Sequence, residues 1–376
     1  MKTYNLIYAA MVLFVLGCSK SSDVPERNPE ESTFEGGYTL LVSKNNVLKN
    51  LLLSTEGHEL TLSADSSTFE DQGLPELTFE DGQVLSMLHK KSDCAMTVTV
   101  QDFEADVIQT YTVFGDLNAC DVTANAIAYE PGKLFIAYEV KVTSKVTDYY
   151  VRIIDVSEPE MSHVDASISL RPLQLAIANN RLFILTSDDE VTGENGISVF
   201  DTQTRAFLYE ELIGFDAHRI FRNPNGNIII GYDQLHTTLN SDTMSKTYTN
   251  YGETAIPNFI ASKTIHFDSA GKMYYEMPTG SFSSYPIISA IYDFMTNTLT
   301  LYAFENFLTE AQRNFEFDIE KTTMVRYDEK NNLLLIGYKK VSGSEQGGVM
   351  RIKPAPEPKF VDNLDVDGVP YSLYIK

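Results

Sequence analysis

The chain carries 376 residues, 43% of them hydrophobic, and a formal net charge of −23. That length allows one or two domains, and closed all-β folds fill it as a single unit. So acidic a balance argues against nucleic acid, anionic lipid and polyanionic glycans as direct partners, and it also keeps a protein soluble.

In chain order, the first segment is a processing signal rather than part of a fold. Lys2 supplies a positive charge, and residues 6–16 form an apolar run too short to span a bilayer. Val15-Leu16-Gly17-Cys18 then resembles the lipobox of bacterial lipoproteins. The resemblance implies a signal peptide over residues 1–17, cleavage before Cys18 and lipid on the Cys18 sulfur. Residues 18–36 hold Ser21, Ser22, Asp23, Glu26, Pro29, Glu30 and Glu31 with almost nothing apolar, which reads as a flexible acidic tether. Serines and acids just after a lipid-bearing cysteine are similar to the surface-export signals of Bacteroidota lipoproteins. That implies a lipid anchor in the outer membrane and display at the cell surface, with the inner face of that membrane as the alternative.

Residues 37–376 are repetitive. The clearest unit is residues 172–214, four runs rich in β-branched and aromatic residues separated by turn chemistry. Its first two runs meet at Asn179-Asn180, whose side chains tolerate the positive φ of a tight hairpin. Equivalent turns stand at Asp81-Gly82, Pro131-Gly132, Asn225-Gly226, Ala270-Gly271 and Asn331-Asn332, each followed by an apolar strand. The period is about 45 to 50 residues, which signals β-propeller blades. A longer last interval places an insertion near residues 305–320, with a short helix expected over 308–315.

Residues 37–43 read as a second strand with no first strand before them, and residues 369–376 supply the missing one. The expected fold is therefore all-β: a seven-bladed propeller of four-stranded blades over residues 37–376, closed by its C-terminal strand. Closure removes exposed sheet edges. Six or eight blades are the alternatives if the ends or the insertion are misread. The absence of tryptophan removes the WD-repeat, quinoprotein and Asp-box propellers. Residues 197–204 fit the V-x-V-x-D-x-x-T third strand of the YVTN or YncE-like propellers, and Ile153-Ile154-Asp155 fits it in part. The chain resembles that group in fold; the resemblance says little about activity.

Cys94 and Cys120 flank neighbouring strand runs in an exported chain, so a disulfide between them is expected, the alternative being two buried thiols. No cofactor or metal is expected. The Asp188-Asp189-Glu190 loop is rich in oxygen ligands but departs from the EF-hand pattern. In propellers a ligand usually meets the face built from the second-to-third-strand and fourth-to-first-strand loops. Tyr138, Tyr232 and Tyr338 fall at equivalent second-strand ends near that face, as an aromatic floor or as packing between blades. Arg171, His218 and Arg219 stand just before first strands, placed to bind a carboxylate or phosphate or to pair within the loops. His236 reads as a solvated loop residue. No nucleophile elbow, zinc-protease, P-loop or dinucleotide motif is present in the sequence. The expected function is capture of an extracellular ligand, a small molecule or glycan, beside a TonB-dependent transporter. An envelope scaffold and a propeller glycoside hydrolase or lyase are the alternatives.

Overall fold

The computed structural model describes residues 34–376 except 57–58, 67–72, 144–145, 190, 253–255, 281–282, 343–344 and 355. The expected signal peptide, Cys18 and nearly all of the expected tether lie outside the described residues. Among those described are seven four-stranded antiparallel sheets, each a blade. The first sheet has the order Val369–Ile375, Gly37–Lys44, Val47–Glu56, Glu59–Ser66, so the last strand of the chain begins the first blade. Leu40 faces Leu373 across this pairing, and Leu41 faces Ser372. The ring closes as expected. Blades two to seven follow in chain order.

The second strands explain why the blades pack. Each is sandwiched between two neighbours, so both of its faces are apolar, and alternate residues serve alternate seams. In Lys133–Lys141, Leu134, Ile136 and Tyr138 join a core shared with blade two. Phe135 and Ala137 of the same strand join a core shared with blade four. In Arg181–Ser187, Leu182 and Ile184 pack back toward blade three while Phe183 and Leu185 pack on toward blade five. These positions are completely buried.

The hairpin turns have the chemistry that their residues predict. Gly82, Gly132, Gly226 and Gly271 have positive φ, as do Asn179, Asn180 and Asn332. Each lies at the turn face, where first strands pass to second and third to fourth. The opposite face carries the other two loop sets and is called the loop face below. First strands of neighbouring blades lie against one another around the axis from blade two to blade five and from blade six through blade seven to blade one. The insertion before blade seven contains a short 3-10 turn, Phe304–Asn306, and a single π turn, Gln312–Glu316. Phe304, Leu308 and Phe317 anchor it in the core between blades six and seven. Among the described residues no helix is long and apolar enough to cross a membrane.

A disulfide joins Cys94 and Cys120, whose Cα atoms are 5.1 Å apart. Cys94 precedes the third strand of blade two, and Cys120 lies in the link from blade two to blade three. The crosslink ties two loops of the loop face.

Candidate functional site

The loop-face end of the innermost strands is irregular in a repeated way. In blades one, three, four and seven the first strand carries a bulge, leaving Tyr371, Asn125, Leu173 and Thr323 as the extra residue. The second-strand residues at these bulges are Val42, Tyr138, Thr186 and Tyr338. A bulge inserts one residue without a ladder partner and re-aims the strand locally. The loop-face ends of these innermost strands are thus built from side chains and loops rather than from a regular sheet edge.

Two of the three tyrosines of the expected aromatic floor are buried, and all three belong to different seams. Tyr138 stacks against Tyr150 and meets Phe114 edge-on between blades two and three. Tyr338 is completely buried between blades six and seven, its hydroxyl bonded to Asn363 and Asp365 at 3.0 and 3.1 Å. Tyr232 is half-buried on the core between blades four and five, and its hydroxyl donates to the Ile213 carbonyl. They form no common floor, because second-strand side chains are consumed by packing toward one blade or the other.

Arg171, His218 and Arg219, at the starts of blades four and five, each have partners. Arg171 donates from Nη1 to Asp189 Oδ2 at 2.9 Å, with Glu139 3.6 Å from its Nε. His218 Nε2 lies 3.4 Å from Asp233 Oδ1. Arg219 donates to the backbone carbonyls of Ser262 and Ile260. Burial of its guanidinium end lowers its pKa to about 10. Arg219 therefore braces the long link between blades five and six, whereas Arg171 faces open space.

That space is a cleft of about 430 Å3 between blades three and four, opening on the loop face. Asp148, Tyr149, Ser169, Arg171, Asp188 and Asp189 contribute to its walls. Asp188 accepts bonds from the amides of Val191 and Thr192 and from the Thr192 hydroxyl, which closes its own loop. Asp189 accepts from Ser187 as well as Arg171, and both bonds depress its pKa. The carboxylates of Asp188 and Asp189 are thus engaged within the loop and by Arg171, and Glu190 lies outside the described residues.

Two features escaped the sequence reading. Arg152, completely buried in the third strand of blade three, is forked onto two carboxylates. It meets Asp116 at 2.6 and 2.8 Å and Asp165 at 2.7 and 2.8 Å. His163 stands 3.3 Å from Asp116. Asp116, His163 and Asp165 could reach a single ion, yet the Arg152 guanidinium already occupies oxygens of both acids, and its hydrogen bonds pull Asp116 down to about 2. A charged residue in the middle of an apolar run was the available signal. His236 was the second: it lies in the strand Leu235–Leu239 and is buried against Tyr251, Tyr292 and Phe294. It is not the solvated loop residue expected, because the preceding loop is only three residues long.

No family model matches the chain, and no curated protein matches it. Solved structures do. A puromycin hydrolase aligns with a TM-score of 0.52 at 9% identity over 90% of this chain, which spans 55% of that protein. A candidate 6-phosphogluconolactonase from Bacteroides fragilis aligns with a TM-score of 0.51 at 12% identity, covering 91% of this chain and 98% of its own. A counterpart from Bacteroides uniformis gives the same score and identity over 91% and 99%. At such identities the likeness speaks for architecture alone. The chain is a seven-bladed β-propeller with structural neighbours among Bacteroides propeller proteins.

Proposed function

We propose that this chain is a lipid-anchored binding protein of the outer membrane, held by Cys18 at the cell surface, that captures a neutral small molecule or glycan. A TonB-dependent transporter is the partner such a protein would feed. The third-strand motif at residues 197–204 supports placing the ring beside the YVTN or YncE-like propellers. The observation that carries the reading is the position of the cleft. It opens on the loop face, while residues 34–36 join the ring at the turn face, where Asn331 bonds the Glu35 carbonyl and Lys330 approaches the Glu35 carboxylate. Residues 34–36 thus meet the ring on the face opposite the cleft.

The lining favours a neutral ligand. Arg171 is already balanced by Asp189 and Glu139, and Asp148 and Asp188 add carboxylates that disfavour an anion. Tyr149 supplies an aromatic wall against which a sugar ring can lie. Titration calorimetry with neutral and sulfated oligosaccharides tests this. Binding of a neutral member, weakened about tenfold or more in Tyr149→Ala and Arg171→Ala, supports it; heat only with sulfated glycans, or with none, sinks it. Product release during the titration would instead indicate the hydrolase or lyase alternative. Radiolabelled palmitate incorporation that disappears in Cys18→Ala tests the anchor separately.

A further inference from the structure

Blade five is the slightest of the seven. Its strands, Arg219–Arg222, Ile228–Gly231, Leu235–Leu239 and Lys246–Asn250, have four, four, five and five residues. The first strand of blade six, Ile265–Phe267, has three, whereas the first strands of the remaining blades run from five to ten. Short strands contribute few ladder hydrogen bonds, so local opening starts where they meet. The seam between these two blades is filled from the link 251–264, which inserts Phe259 between Gly231 of blade five and Tyr275 of blade six. Phe221 and Phe294 close around that ring. Among the described residues no ion pair joins the two blades. Asn297 donates to the Asn250 carbonyl at 3.0 Å, and Arg219 donates to carbonyls of the link. Blades four and five, by contrast, are joined by Lys246 and Glu211 at 2.5 Å.

His236 lies in this seam, and its buried Nδ1 has no hydrogen-bond partner. Gly231 and Thr249 flank it on its own blade, Tyr251 faces it from the link, and Tyr292 and Phe294 face it from blade six. Burial raises both tyrosines, so neither carries charge in neutral or acid solution. Asp293 turns back to its own hairpin, where it accepts from the amides of Met295 and Thr296. A proton on His236 would therefore stand unbalanced between the blades. The other ionisable groups of the seam respond differently. Arg219 keeps its proton, and burial raises Glu276, so the folded ring takes up that proton more readily than the unfolded chain. We infer that acid parts the ring between blades five and six while its other seams stay closed, with His236 as the trigger. The closing strand stays clasped by Glu80 and Arg326 as Phe259 and its aromatic neighbours become exposed. The inference depends on neither the anchor nor the ligand.

Hydrogen exchange read by mass spectrometry tests it on the full chain at about pH 7 and about pH 4.5, with protection taken relative to unfolded peptides at the same pH. The inference predicts that acid lowers protection over residues 228–239 and 272–293 about tenfold or more, and over residues 37–44 and 369–375 less than about twofold. His236→Phe should keep the first two segments protected in acid. His236→Gln, which is polar but does not titrate, makes the same comparison if the phenylalanine variant does not fold. Equal loss in every blade overturns the inference, as does loss that begins at residues 319–340, beside His266 on the other side of blade six. Undiminished acid loss in a folded variant also overturns it. Unchanged protection in the wild-type chain would do the same without any variant.

Discussion

Glu80 of blade two and Arg326 of blade seven meet at 2.7 Å although 246 positions separate them. The strand that closes the ring runs between them. Ser372 of that strand donates to the same carboxylate at 3.2 Å, and the Arg326 guanidinium lies 5.5 Å from the centre of the Tyr374 ring. Tyr374 in turn stacks on Phe103 of blade two at 3.7 Å. The closing strand is thus clasped from both sides by groups that its own blade does not supply.

Removing one half of the clasp should therefore open the ring. Arg326→Ala leaves Glu80 buried without its cation, and desolvation already raises the Glu80 pKa against the pull of Arg326. Breaking a buried pair in this way costs about 3–5 kcal/mol. The double variant Glu80→Gln with Arg326→Met should lose markedly less, since no charge is stranded. Chemical denaturation of the three proteins checks this; equal losses in the single and double variants would mean that the pair does not act as a clasp.

Two histidines, His236 buried and His266 half-buried, set an acid limit. His236 is held near 4 by burial, and His266 near 3 by burial and then by Arg326. An unfolded histidine titrates near 6.5, so the unfolded chain binds more protons below that pH. The stability each neutral ring contributes is complete above about pH 6.5 and is lost as the pH falls toward the folded value. For His236 the full loss is roughly 3 kcal/mol. His236→Phe should flatten the melting-temperature profile between about pH 6.5 and 4, leaving the His266 contribution. An unchanged slope would refute the assignment.

How much of this was legible beforehand follows from the range of each interaction. Turns such as Asn179-Asn180 and Pro131-Gly132 are fixed by backbone preference within two residues, so their period exposed the blades. The lone strand at the C-terminus exposed the closure for the same reason. The apolar run around Tyr138 could not reveal which side chains line a funnel. A strand buried on both faces has no polar side to read, and the blade geometry assigns every second residue to a different seam. Partners such as Asp116 with Arg152, or Arg222 with Asp81 at 2.6 Å between blades five and two, depend on the finished ring. Arg171 was identifiable because it stands at a strand start, but its neutralisation by Asp189 was not.

The disulfide gives a cleaner measure of local crosslinking. Cys94 and Cys120 enclose a sequence separation of 26, and Cys120 is exposed, so reductant can reach it. In the chain-entropy picture a loop of that size stabilises by about 3–4 kcal/mol. Reduction, or Cys94→Ser with Cys120→Ser, should lower the denaturation midpoint accordingly without unfolding the ring at room temperature, because the sheets of blades two and three stay paired. A midpoint unaffected by reductant would show that the crosslink adds nothing.

Gly231 ends the second strand of blade five directly under the Phe259 ring. A Cβ there would collide with the edge of the Phe259 ring, so the aromatic occupies the space an alanine would need. Phe259 is itself buried among Phe221, Tyr251 and Tyr275 and cannot withdraw. Gly231→Ala should destabilise by about 1–3 kcal/mol through overpacking. Phe259→Leu alone also destabilises, by leaving a partial cavity. In the double variant the new methyl enters the space that the ring vacates, so the two losses should sum to more than the measured total. A double-mutant cycle by thermal or chemical denaturation reads the coupling; strict additivity would show that the glycine is there for some reason other than the ring.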